Sequence, residues 1–249
     1  MKISVITICL NCEKTIDKTV LSVIGQDFDN FEYIIVDGKS NDKTLEILNK
    51  YKSKITKLIS EKDKGLYDAI NKGVNNSDGD IIVLLHGNDM FSNSEVLSKI
   101  SNTFIENKDT DVILSNLTIK SNLENGMNLR FYSSKNFRPW MLRIGYSPAH
   151  LSAFFKKDSM NRVGIYDNQF KIAGDFDYFV RSFLIENLKY KFLDENLIFM
   201  SSGGLSSRGL KSYFISSNEI NMSLKKNGFY SNLLITFIRF PLKIIQLFF

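Results

Sequence analysis

The sequence predicts an α/β fold, in which a mostly parallel β-sheet carries helices on both faces. One observation is a regular alternation within the first 85 residues, where four short apolar runs rich in β-branched residues are separated by three amphipathic segments. This order is typical of β-α-β units joined into one parallel sheet. A second observation is that polar residues directly follow the apolar runs, and ligands of open α/β sheets bind beyond the carboxyl ends of the strands.

The apolar run Ile81–Leu85 shows how the strands are recognised. Its five consecutive apolar residues are too few for an independent helix and fit a strand that is buried on both faces. The predicted strands of the first half are Ile3–Cys9, Glu32–Val36, Ile55–Ser60 and Asp80–Leu85. Helical spacing of apolar residues predicts the intervening helices at Thr15–Gly25, around Leu45–Leu48 after a cap at Asn41 or Asp42, and at Leu66–Val74.

The second half of the chain is less regular. A helix is predicted at Glu95–Ile105 and another at Asp175–Glu186, whose first turn contains two carboxylates. A hairpin is predicted around Glu124–Gly126. Strands are predicted at Asp111–Leu114, Leu151–Phe155, Tyr190–Leu193 and Leu197–Met200, the last two as a pair, followed by a Gly/Ser loop at Ser201–Ser207.

Length and charge limit the domain count and the partners. A chain of 249 residues forms one large domain or one domain with an appendage. We therefore predict a domain at residues 1–227, with one half at 1–115 and a second half at 116–227, and a separate segment at 228–249. The net charge of +5 is moderate, and the lysines and arginines are scattered over the sequence except near the C-terminus. This distribution argues against nucleic acid and is compatible with phosphates or a membrane surface.

The cysteines and the amino terminus indicate the compartment. Cys9 and Cys12 form an isolated Cys-x-x-Cys pair, and a zinc site would need two more ligands nearby. We interpret them as incidental thiols in a reducing compartment. The first residues alternate into a strand and show no cleavage site for a secretory leader, so the sequence predicts a cytoplasmic protein.

Acidic residues follow several predicted strands. Asp37 ends the second strand, the turn Glu61–Lys64 follows the third, Asp89 comes shortly after the fourth, and Asp175 begins a helix. Each alone is more often a solvated turn or an ordinary helix start. Because parallel strands end at the same edge of a sheet, the sequence predicts that together they form one polar site.

Four segments within residues 1–205 form a specific set of motifs. The segments are Val5–Thr7 with Thr19–Asp27, Ile35–Thr44, Asp63–Gly73 and Ile172–Arg181. The third reads Asp-Lys-Gly-Leu-Tyr-Asp-Ala-Ile-Asn-Lys-Gly and is the most telling. In these motifs the chain resembles the family-2 glycosyltransferases of GT-A fold, bacterial enzymes that build cell-surface polysaccharide, and in particular a branch with the pattern D-K-G-x-Y-D-A-x-N-K-G.

The resemblance implies a nucleotide-sugar donor, a metal ion and a catalytic base. It makes residues 1–115 the nucleotide-binding half of the domain and residues 116–227 the acceptor-side half. Asp175 corresponds to the base that takes the proton from the acceptor hydroxyl, and a single displacement would invert the anomeric configuration. Asp89 corresponds to the ligand of Mg²⁺ or Mn²⁺ bridging the diphosphate. The implied nucleotide-sugar-binding residues are Thr7, Asn11, Asp37, Asp63, Asn71 and Asn88, with Asp37 on the nucleobase and Asp63 beside the nucleoside.

The sequence departs from the family pattern at two positions. Where the family often has Asp-x-Asp-Asp, residues 86–89 read His-Gly-Asn-Asp and keep only the last acid. A single carboxylate with diphosphate and water can still hold the cation, with weak affinity in the absence of donor. Gly174 replaces a Glu that precedes the base in many relatives, which affects an acceptor contact rather than the proton transfer.

Three further residues are candidates for the site. His150 lies in a segment similar to one that faces the site in relatives, so it could contact diphosphate or metal, or could be a satisfied structural histidine. Asp177 and Arg181 belong to the same motif as Asp175, and Asp177 is the alternative base.

The segment 228–249 is predicted to be an amphipathic helix in the membrane interface. Its apolar surface is interrupted by one narrow polar stripe, formed by Asn232, Thr236, Arg239, Lys243 and Gln246. Pro241 should kink the helix. The segment is too short and too charged to span a bilayer, whereas Arg239 and Lys243 within it, with Lys225 and Lys226 just before it, suit an anionic lipid surface. The alternative is a helix that mediates a homodimer or packs on the catalytic domain.

These expectations combine into one functional hypothesis. The chain is expected to be a metal-dependent, inverting glycosyltransferase that moves a hexosyl or N-acetylhexosaminyl group to a lipid-linked or growing surface glycan. The alternative is a catalytically inactive, nucleotide-sugar-binding partner of another transferase, suggested by the reduced acidic motif. Retention of both Asp89 and Asp175 speaks against that alternative, because a binding module does not need a base.

Overall fold

The computed structural model describes residues 1–123, 125–203 and 209–232. In these residues, helices pack against a mixed sheet of nine strands. The strands are β1 Ile3–Cys9, β2 Phe31–Asp37, β3 Lys57–Ser60, β4 Ile81–His86, β5 Asp89–Phe91, β6 Val112–Lys120, β7 Asn128–Tyr132, β8 Ala153–Lys156 and β9 Tyr190–Ser201. The α-helices are α1 Ile16–Ile24, α2 Thr44–Asn49, α3 Leu66–Asn75, α4 Val96–Glu106, α5 Lys157–Val163, α6 Gly174–Val180 and α7 Gly209–Lys226.

The strand order is β3-β2-β1-β4-β8-β6-β9-β5, with β7 paired to β6. The first four strands are mutually parallel where they pair, as the βα alternation predicts. The next strand in the order, β8, is antiparallel to both β4 and β6, while β9 runs parallel to β6. The predicted α/β class is therefore confirmed, and the second half of the chain makes the sheet mixed.

The register of the parallel strands aligns their carboxyl ends. Cys9 pairs with Asp37 and Asp37 pairs with Ser60, while Ile8 pairs with His86. All residues of β1 and the apolar residues of β4 are buried, which explains their unbroken hydrophobic runs. The polar residues that follow these strands consequently lie along one edge.

The strand β9 differs from the predicted strand pair at Tyr190–Leu193 and Leu197–Met200. It is one continuous strand of 12 residues, because the polar interruption in its middle is paired with polar groups on β6. The Asn116 amide donates to Asp194 at 3.0 Å, and the Thr118 hydroxyl donates to Asn196 at 3.1 Å. The β6–β9 register also shifts next to Asn116, which accommodates the irregular stretch.

The helix predicted at Asp175–Glu186 has two parts. It runs as α6 and continues in a π-helical turn, Arg181–Ile185. The hairpin predicted around Glu124–Gly126 is present as the antiparallel pair β6–β7, although Glu124 lies outside the described residues. Parts of two further predictions also lie outside the described residues: residues 204–207 of the loop Ser201–Ser207, and residues 233–249 of the segment 228–249.

The helix α7 was not predicted from the sequence. Its apolar residues form only a weak stripe, although Ile220 and Leu224 are buried, and its Ser223 hydroxyl donates a hydrogen bond to Asp177 on α6. Within the part of the chain that the structure describes, no helix combines the length and the apolar character that a membrane crossing requires.

Candidate active site

The carboxylate of Asp37 is buried at the end of β2. It accepts hydrogen bonds from the Ser40 amide at 3.1 Å, the Ser40 hydroxyl at 2.5 Å and the Ser60 hydroxyl at 2.7 Å. Its strand neighbour Cys9 is a free thiol whose pKa is raised, first by burial and then by the charge of Asp37. The bonds to Ser40 and Ser60 hold the turn after β2 against the end of β3.

Asp63 lies against this turn from the β3–α3 loop. A methyl group added to Gly38 would be 2.8 Å from Asp63 Oδ2, so the loop approaches the backbone immediately after Asp37. Lys72 holds the loop, because its ammonium is 2.6 Å from Asp63, 2.9 Å from Glu61 and 3.2 Å from Asp68. These three carboxylates raise the pKa of Lys72 and keep it charged.

Asn11 connects the loop after β1 to the same turn. Its backbone has a φ of 53°, a left-handed conformation that asparagine tolerates better than most residues. The Asn11 amide donates to the Ser40 hydroxyl at 2.8 Å, and its side-chain oxygen accepts from the Asn41 amide at 2.9 Å. The structure thus brings Asn11, Asp37 and Asp63 together around one turn.

Asp89 lies in β5 rather than in an open loop. Its side chain is fully buried, and one oxygen accepts a hydrogen bond from the Ser201 amide at 3.1 Å. The other oxygen, Oδ2, has no hydrogen-bond partner and is 3.4 Å from His86 Nδ1. Burial raises the pKa of Asp89 to about 8, whereas burial and the neighbouring His150 lower the pKa of His86 to about 4.

A buried carboxylate oxygen without a partner requires a physical explanation. When Asp89 is ionised, a neutral His86 does not supply the compensating charge, and a divalent cation on Oδ2 would supply it. Among the residues that the structure describes, no group of three or more His, Cys, Asp or Glu side chains is arranged to hold a metal. The site therefore fits a cation held by one carboxylate, provided that the remaining ligands come from substrate and water. Asn88 lies beside it, half-buried in the turn between β4 and β5.

Asp175 is half-buried in the first turn of α6. Its Oδ1 accepts a hydrogen bond from the Phe176 amide at 2.8 Å and is 3.5 Å from the hydroxyl of Tyr67 on α3. That hydroxyl donates to the Ile172 carbonyl at 2.7 Å. The motif Asp63–Gly73 and the motif around Asp175 consequently meet in three dimensions.

Tyr67 also explains why Gly174 precedes Asp175. A Cβ atom on Gly174 would be 2.6 to 2.8 Å from three atoms of the Tyr67 ring, closer than side chains approach one another. The ring occupies the space that a larger residue at position 174 would need. Burial, and after it the charge of Asp175, raise the pKa of Tyr67, so its hydroxyl remains protonated.

The close contact makes a prediction for Gly174→Ala. The added methyl should destabilise the protein by about 1–3 kcal/mol, the usual cost of overpacking a tight core position. Urea unfolding of Gly174→Ala measures this cost. In a Tyr67→Ala background the same substitution should cost close to nothing, because the two residues are directly coupled. Equal costs in both backgrounds would contradict the proposed contact.

Asp177 has protein partners on both carboxylate oxygens. Oδ2 accepts from the Arg181 Nε at 2.9 Å, and Oδ1 accepts from the Ser223 hydroxyl at 2.8 Å and the Asn227 amide at 3.1 Å. Arg181 also donates to the carbonyls of residues 163 and 165. The structure therefore places Asp177 and Arg181 in a buried network that joins α6 to α7, whereas Asp175 contacts Tyr67 on α3.

This network predicts a large stability effect for Asp177→Ala. Removing the carboxylate leaves the largely buried Arg181 guanidinium without the acid that it pairs with, although its two carbonyl partners remain, and losing such a charge partner typically costs about 3–5 kcal/mol. Ser223→Ala removes one neutral partner and should cost about 1 kcal/mol. Denaturant unfolding of the two variants tests the difference. If Asp177→Ala unfolds at the same denaturant concentration as the unsubstituted chain, the network does not hold the helices together.

Three other predicted site residues have partners within the protein. His150 Nε2 is 2.9 Å from the Tyr166 hydroxyl, and burial lowers the pKa of His150 to about 4, so the ring is neutral. Asn71 bonds both the amide and the carbonyl of Tyr166, at 2.8 Å each. Thr7 is fully buried, 3.0 Å from the Tyr33 hydroxyl. The roles of these residues in nucleotide binding stay predictions.

Glu219 on α7 supports the site and was not identified from the sequence. Its carboxylate accepts hydrogen bonds from three consecutive backbone amides, Lys171 and Ile172 at 2.9 Å and Ala173 at 2.8 Å. These bonds fix the loop that leads into Asp175. No local sequence pattern around Glu219 predicts that it holds this loop, because its partners lie 46 to 48 residues earlier in the chain.

The fold matches solved glycosyltransferase structures. Residues 1–349 of Staphylococcus aureus TarS in complex with UDP-GlcNAc superpose with a TM-score of 0.71 at 21% identity, covering 95% of this chain and 70% of that chain. A Pyrobaculum calidifontis mannosyltransferase, PcManGT, in complex with GDP-Man and Mn²⁺ gives a TM-score of 0.65 at 15% identity, covering 91% and 64%. The fold is therefore the GT-A fold of glycosyltransferases, as the resemblance implied.

Sequence comparison identifies the family. Residues 4–166, more than half of the chain, match the model of Glycosyl transferase family 2, and the chain belongs to this family. A Mycobacterium bovis PGL/p-HBAD biosynthesis glycosyltransferase is 23% identical over 183 residues, 72% of this chain and 69% of that protein. The S. aureus poly(ribitol-phosphate) beta-N-acetylglucosaminyltransferase TarS is 33% identical over 119 residues, 46% of this chain and 20% of that protein.

Proposed function

We propose that the protein is a metal-dependent, inverting glycosyltransferase that moves a sugar from a nucleoside-diphosphate donor to a hydroxyl of a lipid-linked or growing cell-surface glycan. One observation carries the proposal. Within a family-2 glycosyltransferase fold, the chain keeps a carboxylate with a free buried oxygen, Asp89, and a half-buried carboxylate at a helix start, Asp175. The two groups correspond to the metal ligand and the base that the chemistry requires.

The donor would bind along the carboxyl edge of the parallel strands. Asp37 and Asp63, which meet beside Gly38, suit the hydrogen-bond donors of a nucleobase and a ribose. Asp89 would hold Mg²⁺ or Mn²⁺ through its unpaired Oδ2, with Asn88 next to it and the diphosphate and water as further ligands. When bound, the cation supplies charge neutralisation for the diphosphate leaving group.

The acceptor side depends on Asp175. As the acceptor oxygen forms its bond to the anomeric carbon, Asp175 takes the hydroxyl proton, and the bond from that carbon to the diphosphate breaks on the opposite face. A single displacement of this kind inverts the anomeric configuration. The Phe176 amide and the Tyr67 hydroxyl both contact Oδ1 of Asp175, at 2.8 and 3.5 Å, and limit the rotation of the carboxylate.

The relatives suggest the substrate class. TarS is described as a poly(ribitol-phosphate) N-acetylglucosaminyltransferase, and its structure is known with UDP-GlcNAc. The mycobacterial relative is described as a glycosyltransferase of PGL/p-HBAD biosynthesis. A uridine-diphosphate hexose or N-acetylhexosamine as donor, and a surface polymer or lipid-linked acceptor, are therefore the first substrates to test.

Membrane contact is the second part of the proposal. The sequence of residues 228–249 suits an amphipathic helix in the interface of an anionic bilayer, which would place the enzyme on the cytoplasmic face of the plasma membrane, close to a lipid-linked acceptor. The alternative role of this segment is to join two copies of the chain in a homodimer.

A second candidate function is an inactive nucleotide-sugar-binding partner of another transferase. The observation that favours it is the reduced motif at residues 86–89, with one acid and without a cluster of three metal ligands in the described part of the chain. Such a partner would bind the donor but would not release the nucleoside diphosphate in the presence of an acceptor.

A thermal-shift screen of nucleotide-sugars with and without Mn²⁺ tests the proposal. A donor at about 100 times its dissociation constant stabilises the folded state by about 2.7 kcal/mol. In a chain of this length, that should raise Tm by about 5–10 °C. We expect a uridine-diphosphate sugar to give this shift only with Mn²⁺. If no nucleotide-sugar raises Tm with or without the metal, both candidate functions are wrong.

A further inference from the structure

An open cavity of about 370 Å³ is lined by none of the predicted site residues. It is bounded by the 3₁₀ turn at Pro139–Ile144, the π-helical turn after α6, and Phe229, just after α7. Its lining is mostly aromatic and aliphatic and includes no carboxylate; Trp140, Phe183, Leu184, Leu188 and Phe229 are the apolar members. We call this surface the Trp140 face.

The exposed groups of the Trp140 face have the chemistry of a bilayer interface. Trp140 is 57% exposed, and Tyr230, adjacent to the lining residue Phe229, is 81% exposed. Tryptophan and tyrosine with an apolar body and a polar tip are enriched where proteins meet the headgroup region. In water, such exposure of large aromatic side chains around one apolar cavity indicates a binding surface.

Positive charge accompanies these aromatic residues. The Arg143 guanidinium lines the cavity and lies over the Phe229 ring, 5.1 Å from its centroid. Lys225 is exposed at the end of α7, four residues before Phe229. Since no acid lines the cavity, the charge of the Trp140 face complements an anionic surface rather than a basic one.

The chain leads from this face into its most apolar stretch. Only Tyr230, Ser231 and Asn232 separate Phe229 from residues 233–249, which contain mainly apolar residues together with Arg239 and Lys243. A bilayer contact made by these last residues would therefore begin beside Trp140 and Phe229.

We propose that the Trp140 face contacts an anionic phospholipid bilayer, with Trp140 and Tyr230 at the headgroup boundary, Arg143 on lipid phosphate, and a lipid chain in the cavity. The folded domain then supplies part of the membrane contact, which fixes the orientation of the enzyme on the surface. This deepens the membrane part of the proposed function, and it is tested without any donor or acceptor.

The experiment uses the only tryptophan of the chain, Trp140, as the probe. The full chain is mixed with vesicles of phosphatidylglycerol and phosphatidylcholine, or of phosphatidylcholine alone, and some vesicles carry lipids brominated near the top of the acyl chains. With anionic vesicles we expect the emission of Trp140 to shift to shorter wavelength and to be quenched by the brominated lipid. Added salt should weaken the binding.

Two charge-reversal variants provide the matched comparison. Arg143→Glu should weaken binding to anionic vesicles roughly 5- to 30-fold, because a basic residue near such a surface contributes about a factor of five and the reversal counts twice. Lys52→Glu makes the same change in net charge on the exposed turn before β3, outside the cavity lining, and should have a much smaller effect. Equal effects of the two variants would mean that only net charge matters, which contradicts the proposal.

Other outcomes would also overturn it. Vesicle binding without quenching of Trp140 would mean that another part of the chain contacts the bilayer. Absence of vesicle binding would exclude a bilayer as the partner of the Trp140 face. If truncation after Asn232 shifts the emission of Trp140 to longer wavelength in the absence of vesicles, the last residues cover the face. If dilution shifts the emission of Trp140 to longer wavelength and sedimentation shows a dimer dissociating, a second copy of the chain covers the Trp140 face. Donor binding in the thermal-shift screen is unaffected by each of these results, so the two proposals fail separately.

Discussion

Asp175→Asn is expected to lower the rate of sugar transfer by roughly two to four orders of magnitude, the usual contribution of a general base. The amide keeps the size of the side chain and can still accept the hydrogen bond from the Phe176 amide, but it cannot take the acceptor proton. Donor affinity should stay nearly unchanged, because the predicted donor contacts lie on other elements. Steady-state kinetics with a nucleotide-sugar and a soluble acceptor analogue measure kcat and KM separately.

Asp158→Asn is the matched control for this prediction. Asp158 also lies in the first turn of a helix, α5, and is exposed, but it belongs to none of the site motifs. Its substitution should leave kcat within about a factor of two, since surface changes of this kind have small effects. An Asp175→Asn variant as active as the Asp158→Asn control would exclude Asp175 as the base.

Asp89→Asn is expected to abolish the part of nucleoside-diphosphate binding that depends on Mn²⁺. An amide oxygen lacks the charge that a single-carboxylate site needs, and the described residues offer no cluster of other acids to replace it. The variant should remain folded, because the asparagine side-chain oxygen can still accept a hydrogen bond from the Ser201 amide, and position 89 no longer places a carboxylate in the interior. Titration calorimetry with and without Mn²⁺ gives the two affinities.

The pH dependence of this binding follows from the burial of Asp89. Burial raises the pKa of Asp89 to about 8 in the metal-free protein, so below that pH the carboxyl holds a proton that the cation must displace. The Mn²⁺-dependent affinity should therefore increase as the pH rises from 6 to 8 and level off above. Because the pKa of Asp89 is higher in the metal-free fold than in the unfolded chain, the contribution of Asp89 to the free energy of unfolding is most favourable at acidic pH. This contribution declines as the pH rises towards 8.

Asp80→Asn serves as the control for Asp89→Asn. Asp80 is exposed just before β4, at the opposite end of that strand from the candidate metal site. Its substitution should preserve the difference between affinities with and without Mn²⁺. If Asp89→Asn preserves that difference as well, the metal ligand has been assigned to the wrong residue.

The sequence predicted the first half of the fold because its signals are local. The strands β1 and β4 are predicted by their short apolar runs, and the last residues of these runs mark the edge of the sheet. The second half depends on distant partners. The strand β9 continues through the polar stretch around Asp194 because Asn116 and Thr118, on β6, donate hydrogen bonds to its side chains. Nothing near Asp194 in the sequence identifies these two partners.

The candidate site shows the same division. Asp37, Asp63, Asp89 and Asp175 could be selected from strand ends and motifs, and the structure places the first two side by side. The residues that support the site could not be predicted from the sequence, because they contact it from positions far away along the chain. Tyr67 lies 108 residues before Asp175, and Glu219 bonds the loop before Asp175 from a helix that has no strong apolar stripe.

The configuration of the transferred sugar tests the central claim most directly. The full chain, Mn²⁺, the donor selected by thermal shift and a soluble acceptor analogue are incubated, and the anomeric proton of the product is observed by NMR. A single displacement assisted by Asp175 predicts a product with the opposite anomeric configuration to the donor, formed by the unsubstituted chain and nearly absent with Asp175→Asn. A product with the donor's configuration, or one formed equally fast by Asp175→Asn, would contradict the account.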